Sequence, residues 1–128
     1  MKTISAAALA LALSATAAAA QQGGSLQCGG TEPFWGLTIT AKAMWLMTPA
    51  DDTRINLVLV RPRGAMARQV DLVRIYQTRR TDGKGAATLI VTRNENSCSD
   101  GMSEKRYAYD AVYFDAEQVF QGCCSWAK

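Results

Sequence analysis

The chain has 128 residues, 48% of them apolar and 20% charged, with 14 basic against 11 acidic side chains, four cysteines and no histidine. That is the size of a single domain. Without histidine there is no Ser/His/Asp or Cys/His nucleophile pair, no imidazole metal cage and no side chain that ordinarily titrates near neutrality, which tilts the expectation from enzyme toward a binding or structural role.

Lys2 gives a short positive region and Ile4 to Leu13 an apolar one rich in Ala and Leu, after which Ala18-Ala19-Ala20 meets the small-x-small pattern of a cleavage site. Residues 1–20 are therefore predicted to be a signal peptide cut after Ala20, leaving about 108 residues. The stretch from Ile4 to Ala20 is shorter than the ~20 residues a spanning helix needs. Gln27 also stands where a lipoprotein signal at Cys28 would require a small residue. A soluble periplasmic or secreted protein without a membrane span is expected. Residues 21–27 read as a flexible leader and residues 28–128 as a single β domain.

Beyond the leader the hydrophobic pattern has a period of two. Phe34 to Thr40 alternates around Leu37 and Ile39, and Ala43 to Thr48 follows after a brief turn. Arg54 to Arg61 places Ile55, Leu57 and Leu59 on one face and Val58 and Val60 on the other, as in a strand covered on both sides. Val70 to Thr78 sets Val73, Ile75 and Gln77 opposite Leu72, Arg74 and Tyr76. Thr81 to Gly85 has the residues of a hairpin turn and leads into a strand from Ala87 to Arg93. Asn94 to Glu104 reads as a polar loop, and Tyr107 to Asp115 and Gln118 to Cys123 as the last strands. A helical turn around Met66 and a helix over Tyr107 to Ala116 remain as local alternatives. About seven short, mainly antiparallel strands with frequent turns predict an all-β fold, either a small barrel or a sandwich.

Charge is unevenly spread. Arg54 to Arg93 holds eight arginines and Lys84 against Asp71 and Asp82, whereas Asn94 to Gln118 holds six acids against Lys105 and Arg106. The basic middle is expected to lie on solvent faces and pair with the acidic segment; it could also meet an anionic envelope ligand or an acidic partner. No nucleic-acid module is present and no nucleic-acid partner is expected.

In an oxidising compartment the even set Cys28, Cys98, Cys123 and Cys124 predicts two disulfides. Three connectivities exist. A Cys123–Cys124 bridge would close a strained vicinal ring, while adjacent residues of a strand point to opposite faces and reach different partners. The favoured pairing is Cys98 with Cys123 and Cys28 with Cys124.

Two segments are too particular to be generic strand and turn. Gly30-Thr31-Glu32-Pro33-Phe34-Trp35 puts a carboxylate between a glycine pair and a rigid Pro-aromatic-aromatic strand start. Ser99-Asp100-Gly101-Met102-Ser103-Glu104 follows Cys98 directly, with Tyr107 three residues on. With the closing Gly122-Cys123, these resemble an uncharacterised family of small exported bacterial envelope proteins and lipoproteins. Its members carry Gly-x-Glu-Pro-Phe-Trp and Cys-x-Asp-Gly-Met-Ser-Asp-x-x-Tyr motifs. This chain departs from that pattern in Glu104, where Asp is usual, and in the extra pair Cys28 and Cys124. The resemblance implies a compact β domain of the cell envelope and assigns no ligand or catalytic residue.

The residues suggest roles of their own. Asp100 is expected to accept backbone N–H bonds from residues just ahead, with Gly101 at positive φ. Pro33 fixes the strand start, and Phe34 and Trp35 send one ring to each face, one of them plugging a barrel end where Glu32 caps it. Alternatively Glu32, Trp35, Asp100, Ser103 and Tyr107 form a ligand surface.

The expected function is that of a non-catalytic envelope binding or inhibitory protein. It would act as a monomer, without cofactor or metal, on an envelope protein, a glycan or a small ligand. Small disulfide-stapled periplasmic proteins that inhibit lysozymes offer an analogy of architecture and compartment. Two further readings are a carboxylate-based glycan hydrolase using Glu32 and Asp100 as acid and base, and soft-metal binding by Met44, Met47, Met66 and Met102.

Overall fold

The computed structural model describes residues 24–68 and 71–127; the predicted signal peptide and the first residues of the leader lie outside them. Eight strands follow in the chain: β1 (Ser25–Thr31), β2 (Phe34–Ile39), β3 (Met44–Thr48), β4 (Asp51–Leu57), β5 (Val73–Arg79), β6 (Ala86–Ser99), β7 (Arg106–Asp115) and β8 (Val119–Ala127). They form one antiparallel sheet in the order β4-β3-β2-β1-β8-β7-β6-β5, two four-stranded meanders joined through β1 and β8. The sheet curls until its edge strands meet. Leu57 bridges Arg80, the Val58 N–H donates to the Arg79 carbonyl at 3.0 Å, and the Thr81 N–H donates to the Asn56 carbonyl at 2.9 Å. The all-β expectation holds, as a partly closed barrel of eight strands. Among the described residues there is no helix, and so none long and apolar enough to cross a membrane.

Alternation explains the core. Leu26 and Cys28 on β1, Leu37 and Ile39 on β2, Leu89 and Val91 on β6, and Tyr113 on β7 all turn inward, and an eight-stranded barrel is just wide enough for such side chains to fill. At one end the rings of Trp35, Phe120 and Tyr113 stack, with centroids 5.5 and 6.2 Å apart. Phe34 points outward and is 63% exposed, so the two rings of the Phe34-Trp35 pair do part to opposite faces.

Two disulfides are present, in the favoured pairing. Cys28 and Cys124 sit directly opposite in the β1–β8 register, with Cα atoms 4.0 Å apart, and their bridge belongs to the core. Cys123 lies one residue away and faces outward to Cys98. Two buried bridges suit an oxidising environment.

Several boundaries differ from the sequence expectation. The leader does not stay loose up to Cys28: strand pairing with β8 begins at Ser25, because Leu26 has a core position to fill. This first strand escapes a periodicity reading because its second half begins Cys-Gly-Gly. β4 ends at Leu57 rather than running on as a strand covered on both sides, and Val60 packs on the core from an irregular segment. β6 continues through the presumed polar loop to Ser99. It does so past a register shift between Arg93 and Cys98, with Ser97 at φ 66°, because the β7 backbone offers partners out to Arg106. Met66 sits in a turn without a helix, and Tyr107 to Asp115 is strand throughout.

Candidate functional site

The long β6–β7 ribbon bends beyond its irregularity and brings Cys98 onto the outer face of β8, where it bonds to Cys123. The loop between these strands is organised by one carboxylate. Asp100 accepts the N–H groups of Met102 at 2.9 Å and Ser103 at 2.8 Å, the Ser103 hydroxyl at 2.8 Å and the Tyr107 hydroxyl at 3.3 Å. The N–H bonds of Ser103 and Met102, followed by the Ser103 hydroxyl, hold its carboxyl down to about 2. Gly101 takes φ 78°, the left-handed conformation that lets the chain turn back over Asp100. The Tyr107 phenol is pushed up, first by desolvation and then by the Asp100 charge.

This loop is tied to the other motif. The Thr31 hydroxyl donates to the Asp100 carbonyl at 2.8 Å, joining segments 69 residues apart. Below it β1 and β8 approach so closely that a Cβ on Gly122 would stand 2.0 Å from the Gly29 carbonyl oxygen, and one on Gly30 would stand 2.4 Å from the Trp35 indole nitrogen. The glycines leave room for the indole to cross the barrel end and donate to the Gln121 carbonyl at 3.0 Å.

The sequence-predicted surface is therefore gathered, with one member reassigned. Trp35 is only 6% exposed and stacks in the core, so its main part is that of a plug. Glu32 does not cap the barrel end as expected: it is exposed on the β1–β2 turn and makes no side-chain hydrogen bond among the described residues. Glu32, Asp100 and Met102 line a depression of about 400 Å³ together with Asp110, Gln121 and Gly122. A smaller hollow of about 250 Å³ adjoins it, shared by Gly30, Trp35, Asp100 and Tyr107. Ser103 contributes through its bonds to Asp100.

Two inward-facing arginines of the basic middle were not singled out from the sequence. Arg80 is buried and grips Asp82 at 2.7 Å and Glu117 at 3.3 Å, with Asp115 at 3.6 Å. Arg74 lies at the far end of β5. Both share the parity of Tyr76, a signal that alternation carries but that their charge masks. The expectation that arginines pair with the acidic segment is met by Arg80, from inside the barrel and not from a solvent face. Among the described residues no group of three or more Cys, Asp or Glu side chains is placed to hold a metal ion. All four cysteines are consumed in bridges, and Met44 lies in the core while Met47, Met66 and Met102 are exposed on separate segments.

No protein-family model, curated protein or solved structure matches the chain.

Proposed function

We propose that this chain is an exported, non-catalytic binding domain of the bacterial envelope, which takes its partner on the face formed by the β1–β2 turn and the Asp100 loop. The observation that carries the reading is the Thr31–Asp100 hydrogen bond beside the Cys98–Cys123 bridge. Two distant motifs are thereby held as one surface before any partner arrives, and pre-ordering of that kind lowers the entropic cost of binding. Asp100 spends its carboxylate on the loop itself, which suits a scaffold and not an acid or base exchanging protons with a glycan.

The lining supplies Glu32, Asp100 and Asp110 and no lysine or arginine. Phe34 and Met102 stand exposed at 63% and 64% on the two segments that meet there. Carboxylates beside the exposed Met102, with Phe34 exposed on the adjoining strand, favour a basic protein as partner, the apolar groups supplying affinity and the charges orientation.

The experiment is a thermal-shift panel of basic lysozymes, peptidoglycan fragments and anionic lipid vesicles. A basic protein at a hundred times its Kd raises the melting temperature by on the order of 10 °C, and E32Q combined with M102A removes that shift. A panel in which nothing moves the transition, or a shift that the double variant leaves intact, ends the proposal.

A further inference from the structure

The barrel end opposite the Trp35 stack is open. There the last residues of β2 and β8 and the irregular segment after β4 surround a cavity of about 560 Å³, lined by Leu59, Val60, Tyr76, Trp126, Arg61 and Arg74 among others. That volume lies in the range of small-molecule sites. Leu59 and Trp126, both partly exposed, give it two large apolar walls.

The two inward-facing arginines, Arg74 on β5 and Arg80 just past its end, differ sharply. Arg80 has Asp82, Asp115 and Glu117 around it. Arg74 has one carboxylate, Asp71, at 3.5 Å, and its guanidinium lies 5.2 Å from the Trp126 ring centre. Asp71 is divided further, since it also accepts the Tyr109 hydroxyl at 2.7 Å and pairs with Arg93. The Arg74 Nε–H is buried without an acceptor among the described residues. Arg61, exposed on the cavity lining, has no ion pair among the described residues. Positive charge at this mouth therefore exceeds the one shared carboxylate, and the Arg74 guanidinium is left with a desolvated donor that no protein group among the described residues compensates.

We infer that the open end of the barrel binds a small amphipathic anion, an apolar body with a single carboxylate. The apolar part lies against Leu59, Val60 and Trp126 and the carboxylate accepts from Arg74, with Arg61 adding charge at the mouth. A guanidinium presents its donors in a planar fork that suits a carboxylate, and the Trp126 ring keeps that fork in place. This site is separate from the Asp100 face, and either can fail without the other.

The test titrates decanoate, and in a second arm naphthoate, against the corresponding uncharged alcohols, decanol and naphthalenemethanol. At least one carboxylate is expected to bind with 1:1 saturation and at least tenfold more tightly than its alcohol. Whichever carboxylate binds more tightly tells whether the body is a chain or a ring. R74M is expected to remove most of the carboxylate's advantage over the alcohol, at least fivefold, and leave the affinity for the alcohol within about twofold. In the unaltered protein, amide shifts on titration should gather at Ile39, Val60, Tyr76 and Trp126 and spare Asp100 to Tyr107; this reading stands even if R74M does not fold. Absence of saturable binding, equal affinity for carboxylate and alcohol, an R74M variant that folds and binds as before, or shifts centred on the Asp100 loop each overturn the inference.

Discussion

The Arg80 guanidinium lies 3.6 Å from the Asp115 carboxylate, with only 3% and 1% of the two side chains exposed. Burial by itself would push the Asp115 carboxyl up. The Tyr113 hydroxyl at 2.7 Å and the N–H groups of Glu117 and Gln118 outweigh it and hold the group below its ordinary range. Removing one partner of such a pair leaves a buried charge unmatched. R80M is expected to cost about 3 to 5 kcal/mol, and adding D115N should recover part of that loss. A double-mutant cycle from urea unfolding measures both.

Asp100 makes stability depend on acid. Its folded value of about 2 lies below the ordinary 3.8, so the carboxylate contributes fully above the unfolded value and loses that contribution as pH falls through the folded one. The stability advantage of wild type over D100N should be constant above about pH 5, shrink from about pH 4 downward and vanish below about pH 2. Unfolding free energies of both proteins across that range provide the check. A difference that does not change with pH contradicts the assignment.

Gly122 is required by close approach of two backbones. An added Cβ would meet the Gly29 carbonyl oxygen at 2.0 Å, and backbone cannot yield as a flexible side chain does. G122A is expected to lose about 3 kcal/mol or more, or to fail to accumulate in folded form. Gly36 is the control, since its nearest neighbour would stand 3.8 Å away. G36A should stay within about 1 kcal/mol of the parent, measured by thermal and chemical denaturation.

The two bridges close loops of different length, 96 and 25 residues of separation. In the chain-entropy account the first is worth up to about 4.7 kcal/mol and the second up to about 3.5 kcal/mol. C28A/C124A should therefore be the more destabilised protein, while C98A/C123A should show the faster amide exchange in the Asp100 loop. Intact mass of the unreduced protein should show no free thiol.

Much of this was legible one residue at a time. Leu37 and Ile39 announce their strand by alternation, Asp100 followed by Gly announces a turn held by its own carboxylate, and Phe34 with Trp35 must part to opposite faces. β1 was illegible because Cys28-Gly29-Gly30 carries no hydrophobic rhythm. Its place is dictated by Cys124 and by the space those glycines leave for Trp35, which are relations across the barrel. The extension of β6 to Ser99 was hidden for a similar reason, since its polar residues pair because β7 runs beside them.

The sequence by itself determined an all-β chain, an even set of cysteines for two bridges and the two motifs, because alternation, cysteine count and turn chemistry are read along the chain, whereas which cysteine meets which was decided by the fold. Tertiary structure alone decided that Thr31 reaches Asp100, that Trp35 belongs to the core and Glu32 to the surface, and that one inward arginine is matched by carboxylates while the other faces an open cavity. Those outcomes depend on how far the sheet curls and which strands it brings face to face. That is set by packing summed over the whole barrel.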